Sequence, residues 1–78
     1  MSEVIVLSSD TCSFCEVMKK RLEEMGVKYR EVKIESGEGK RLVEEYDIRA
    51  LPATIIRKEK KEVILIGLPP EEEIRRAL

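Results

Sequence analysis

Cys12 and Cys15 stand where the hydrophobic period of this chain changes, and that junction constrains the fold more than any other feature. Before them, Val4-Ile5-Val6-Leu7 is an unbroken, largely β-branched run of the kind found in a strand buried on both faces. Ser8-Ser9-Asp10-Thr11 breaks the run with small polar residues that start helices. Beyond, Phe14, Met18, Leu22 and Met25 fall at helical spacing with Val17 beside them, while Lys19, Lys20, Glu23 and Glu24 face away. Gly26 sits where a left-handed helix cap belongs. The two thiols are therefore expected at the head of a helix that leaves a strand.

The remaining elements follow from the same periodicities. Val27 to Glu35 reads as a second strand, alternating at Val32 and Ile34 but out of phase at Val27 and Tyr29. Ser36-Gly37-Glu38-Gly39 reads as a loop, and Lys40 to Tyr46 as a short helix presenting Leu42, Val43 and Tyr46. Asp47 to Pro52 is irregular, because the proline biases Leu51 to an extended conformation. Ala53 to Arg57 and Glu62 to Ile66 form a hairpin around the charged turn Lys58 to Lys61. Gly67-Leu68-Pro69-Pro70 ends it, and Pro70 suits the first turn of a last helix, Glu71 to Leu78, with acidic residues at its positive end. The order β-α-β-α-β-β-α implies an α/β fold in one domain over residues 1–78: a four-stranded mixed sheet flanked by helices.

Composition narrows the chemistry. A chain of 78 residues has room for a single thin core. With no histidine, Ser-His and Cys-His hydrolases and a Cys₂His₂ zinc site are excluded, so chemistry must come from cysteine or carboxylates. A net charge of −1 argues against nucleic acid as a partner. The longest apolar run, Val63 to Leu68, is too short to span a bilayer, and the start Met1-Ser2-Glu3 lacks signal-peptide character. No membrane association is expected, and a reducing cytoplasm is the default compartment, where paired cysteines are rarely structural. Charged residues make up 40% of a chain without Asn or Gln, a composition shared by thermophile proteins and by idealised scaffolds with no physiological substrate.

Cys12-Ser13-Phe14-Cys15 carries the candidate chemistry. A thiol in the first turn of a helix, or at its cap, faces unpaired backbone N–H groups and the positive end of the dipole, which favour thiolate. Cys12 gains most; Cys15, one turn in, is close enough to close a disulfide. The expected chemistry is attack by Cys12 on a substrate disulfide, then resolution of the mixed disulfide by Cys15. Three other uses compete: a pair of core cysteines, half of an intermolecular zinc site, and a structural disulfide. The last stabilises little, because the loop it closes is so short. Redox use is the strongest reading, with no metal assigned to the single chain.

With this motif in this order of elements, the chain resembles the thioredoxin-fold family, and its glutaredoxin branch in particular. The resemblance spans essentially the whole chain and rests on Thr11-Cys12-Ser13-Phe14-Cys15, Ala50-Leu51-Pro52-Ala53-Thr54, and the hairpin ending at Gly67. It implies a dithiol–disulfide oxidoreductase with Cys12 as nucleophile and Cys15 as resolving thiol. It also implies a cis Pro52, leaving the Leu51 backbone to pair with an extended substrate segment. Ser13, Phe14, Leu51, Pro52, Gly67 and Leu68 are the implied substrate-binding residues, with protein or low-molecular-weight disulfides as substrates. Ser13 replaces the family's usual proline, as in glutaredoxins that hold a 2Fe–2S cluster between two chains, so cluster carriage is the alternative function. After the hairpin, Gly67-Leu68-Pro69-Pro70-Glu71 keeps one glycine of the family's glutathione-holding segment, and Leu68 suggests an apolar rim for a protein partner. The expectation is a monomer with no tightly bound cofactor, reduced by glutathione or by a thioredoxin reductase-like enzyme. Asp10 is expected to cap the helix, Lys19 and Arg49 to belong to a solvated charged face, and Tyr29 and Tyr46 to pack with wet hydroxyls.

Overall fold

In the computed structural model, which describes residues 2–78, the order of elements is the expected one. Met1 lies outside the described residues. The strands are β1 (Glu3–Ser8), β2 (Arg30–Lys33), β3 (Ala53–Arg57) and β4 (Glu62–Ile66); the helices are α1 (Ser13–Glu24), α2 (Gly37–Glu45) and α3 (Glu71–Ala77). The sheet order is β2-β1-β3-β4, with β1 parallel to β2 and the other pairs antiparallel.

Because side chains alternate across a strand, the sheet presents two apolar faces to two sets of helices. Val4, Val6, Ile56 and Leu65 pack with Met18 and Leu22 of α1 and Ile74 and Ala77 of α3. Ile5, Leu7, Val32, Ala53 and Ile55 pack with Leu42 of α2 and with Ile48. β1 is central and buried from Val4 to Ser8, which explains its unbroken apolar run.

Three boundaries and one buried face differ from the sequence reading, each for a local reason. The segment Ser36 to Gly39 is not a loop: Ser36 caps α2, its Oγ accepting from the Gly39 N–H at 2.9 Å, so the helix starts at Gly37. Position 39 of that helix takes only glycine, since a Cβ there would lie 2.1 Å from the Lys33 carbonyl oxygen. The second strand covers only Arg30–Lys33, because Val27 closes a Schellman cap on α1. The Val27 N–H donates to Leu22 O at 2.9 Å and the Gly26 N–H to Glu23 O at 3.0 Å, with Gly26 at φ +74°. Val27 and Tyr29 therefore pack on the α1 face, and Ile34 on the α2 face. Pro70 precedes α3 as its extended N-cap residue instead of entering the first turn. Finally, the buried stripe of α1 is Cys15, Met18 and Leu22, so Phe14 (61% exposed) and Val17 (44% exposed) stand outside the core.

Candidate active site

The central strand delivers the thiols. β1 ends at Ser8, the Cys12 N–H donates to Ser9 O at 3.3 Å, and Cys12 itself becomes the N-cap of α1 in an extended conformation. Its sulfur does what a capping oxygen does elsewhere: Cys12 Sγ accepts from the Cys15 N–H at 3.1 Å. Cys12 and Cys15 are joined by a disulfide with Cα atoms 5.3 Å apart. Their surroundings differ sharply. Cys12 is half-buried at the surface, whereas Cys15 is fully buried, its Sγ 4.0 Å from Leu7 O. Cys12 is therefore the more accessible of the two sulfurs, and a backbone N–H and the head of α1 lie against it.

The second part of the site comes from the start of β3. The Leu51–Pro52 peptide bond is cis and Pro52 is buried. Register places this turn beside the thiols: Ala53 pairs with Leu7 of β1 and with Ile66 of β4. The Gly67 N–H donates to Pro52 O at 2.8 Å, with Gly67 at φ +78°. Cys12, Leu51, Pro52 and Gly67 thus share one end of the sheet.

A cavity of about 440 Å³ opens against Cys12. Its walls are apolar at Ile34, Val43, Ile48, Ala50 and Leu51, with Ser9, Thr11 and Arg49 contributing polar atoms. Of the sequence-derived site residues, Cys12 and Leu51 line this cavity. Ser13 and Phe14 are exposed on the first turn of α1 instead, and Leu68 packs half-buried against the α1–α3 core. Ile34, Val43 and Ile48 were not foreseen as site residues. In sequence they look like core, and only the fold shows that they line the same cavity as Cys12.

The charged residues near the site are more organised than a solvated face. Lys19, whose side chain is 15% exposed, holds Glu16 at 2.7 Å and Glu31 at 2.8 Å, and these partners raise its pKa. Glu31 also accepts from the buried Ser8 hydroxyl at 2.6 Å. The hydrogen bonds from Lys19 and then Ser8 pull the Glu31 carboxyl down to about 2. Asp10 does not cap α1, because Cys12 occupies that position; its exposed carboxylate pairs with Lys33 at 3.1 Å. Arg49 is exposed at the cavity rim and meets Asp47 at 3.3 Å. Both tyrosines pack on the core, but their hydroxyls donate to carboxylates, Tyr29 to Glu23 at 2.6 Å and Tyr46 to Glu62.

Comparison with known proteins agrees with this geometry. The structure superimposes on the thioredoxin-like protein BC3987 with a TM-score of 0.74 at 23% identity, covering 97% of this chain and all (100%) of that one. For Fasciola hepatica thioredoxin the TM-score is 0.76 at 21% identity, covering 99% of this chain and 81% of the other. Mitochondrial thioredoxin 3 from Saccharomyces cerevisiae gives 0.72 at 18%, with 97% and 76% covered. These likenesses establish the fold. No curated protein sequence matches the chain. A family profile described as Glutaredoxin matches residues 4–61, a span that includes the Cys12–Cys15 pair, the Leu51–Pro52 turn and the sheet core between them. The α/β sheet, the thiol pair at the head of α1 and this match give one conclusion: the chain belongs to the glutaredoxin family, and its Cys-x-x-Cys pair supports a role in thiol–disulfide exchange.

Proposed function

We propose that this protein is a dithiol–disulfide oxidoreductase of the cytoplasm that reduces protein or low-molecular-weight disulfides. One observation carries the reading: Cys12 is the surface-facing cap of α1, with the Cys15 N–H 3.1 Å from its sulfur, while Cys15 is buried behind it. Cys12 thiolate attacks one sulfur of the substrate disulfide, forming a mixed disulfide and releasing the first substrate thiolate. Cys15, deprotonated, then attacks the Cys12 sulfur. The Cys12–Cys15 bond forms, the second substrate thiolate leaves, and two electrons have passed to the substrate. The leaving thiolates take protons from solvent, and an external thiol or reductase returns the pair to the dithiol.

Substrate recognition uses the end of the sheet around Cys12. The Leu51–Pro52 turn supports an extended segment beside the thiols, and the exposed Phe14 offers an apolar contact to a protein partner. Ile34, Val43, Ile48 and Leu51 suit an aliphatic portion of the substrate, and Arg49 an anionic one. The test is reduction of a protein disulfide coupled in parallel to glutathione with its reductase and to thioredoxin reductase. Turnover is expected in one of the two systems, and Cys12→Ser should abolish it. Full turnover by Cys12→Ser would overturn the assignment.

A further inference from the structure

Two side chains are both polar and fully buried among the described residues, Ser8 and Thr54. Ser8 has its acceptor in Glu31 at 2.6 Å. Thr54 Oγ1 is buried with no hydrogen-bond partner among the described residues. A buried hydroxyl without a partner is costly, and a valine or isoleucine would fit a strand there without that cost. Its place in the sheet supplies a reason. Thr54 pairs with Val6 of β1 and Leu65 of β4, both part of the core beneath α1. Ala53 and Ile55, its neighbours along β3, belong to the opposite face, so the Thr54 side chain lies on the α1 face. Along that face β3 carries Thr54 nearest the Pro52 end, then Ile56. Along α1 the buried stripe runs Cys15, Met18, Leu22, with Cys15 at the same end.

We infer that the Thr54 hydroxyl is the internal hydrogen-bond donor to the Cys15 sulfur in the reduced protein, favouring the thiolate that resolves the mixed disulfide. The inference rests on the dithiol mechanism proposed above. Resolution needs Cys15 as a thiolate, yet Cys15 is fully buried, and burial disfavours a charged sulfur. Cys12 has the Cys15 N–H to stabilise its charge; the Cys15 sulfur, buried in the first turn, lies 4.0 Å from the Leu7 carbonyl oxygen, which has no proton to offer a charged sulfur. A hydroxyl that is not committed to another acceptor is the group this thiol lacks. On resolution the Cys15 proton passes to solvent, the Cys12–Cys15 bond forms, the substrate thiolate departs, and the Cys15 sulfur loses the charge that the hydroxyl serves; in this disulfide state Thr54 Oγ1 has no partner among the described residues.

The experiment is stopped-flow reaction of the fully reduced protein with 5,5′-dithiobis(2-nitrobenzoate). The first chromophore released reports attack by Cys12, the second reports resolution by Cys15. Thr54→Val, which keeps the shape and removes the hydroxyl, should leave the first phase unchanged. It should slow the second by roughly tenfold or more near neutral pH, the scale of losing a hydrogen bond to a charged group. It should also move the second phase's pH profile upward, while thermal unfolding of the disulfide form stays the same or rises. Thr54→Ser should restore both rate and profile. An unchanged second phase in Thr54→Val, equal slowing of both phases, or no rescue by serine would overturn the inference. If the wild-type protein shows no first phase, the dithiol reading itself fails and this inference fails with it.

Discussion

In the proposed mechanism, the backbone at Cys12 takes the part that a histidine plays in many cysteine enzymes. The Cys15 N–H and the head of α1 are fixed by the fold, so the sulfur they stabilise needs no titrating partner. Glu31 is the titrating residue with the most structural reach nearby, joining the end of β1 through Ser8 to α1 through Lys19. Its carboxyl is held at about 2 against a usual 4.5, chiefly by Lys19 and then Ser8. A carboxylate lowered in this way stabilises the fold above its unfolded pKa, and that stability is lost as pH falls from about 4.5 through about 2. Denaturant unfolding across that window should show a falling midpoint for the wild type and a flatter profile for Glu31→Gln. Parallel profiles would mean that the Ser8–Glu31–Lys19 contacts do not govern acid stability. Residue identity alone made Cys12 and Cys15 legible as a paired Cys-x-x-Cys, which the structure joins in a disulfide. It did not reveal that Lys19 is committed to two carboxylates, because both partners depend on side-chain placement and one of them lies on a different element.

The elements were legible where periodicity and caps agree. β1, β3, β4 and the buried stripe at Met18 and Leu22 follow from apolar spacing, and Gly26 ends α1 as its position suggests. The start of α2 was not legible, since a segment with two glycines reads as a loop until tertiary contacts are known. Gly39 shows why. Added carbon there meets Lys33 O at 2.1 Å and Ile34 Cα at 2.8 Å, both backbone atoms of the segment that leaves β2. In an exposed helix, glycine to alanine stabilises by roughly 0.5–1 kcal/mol. Here Gly39→Ala is expected to destabilise by about 1–3 kcal/mol, the usual range for overpacking. Gly37→Ala, in the first turn of the same helix with open space around its Cβ position, should be neutral or mildly stabilising. Chemical denaturation of the two variants compares them directly, and equal effects would show that α2 does not press on the β2 exit.

For the whole molecule, the sheet divides a small apolar core into two layers and places every part of the site at one end. α1 and α3 cover one face and α2 the other, while the sheet register brings the end of β1, the start of β3 and Gly67 together. This convergence is a property of topology. That is why the cavity walls at Val43 and Ile48 could not be read as site residues from their local sequence. The asymmetry between the thiols is topological as well, since the surface-facing cap and the buried first turn of one helix give the two sulfurs different exposure. Mass spectrometry of Cys15→Ser and Cys12→Ser after brief exposure to a small symmetrical disulfide at neutral pH reads that asymmetry. Cys15→Ser should carry a single mixed-disulfide adduct on Cys12, and Cys12→Ser should remain unmodified because its remaining thiol is buried. Rapid labelling of Cys15 in Cys12→Ser, with none on Cys12 in Cys15→Ser, would contradict the assigned order of attack.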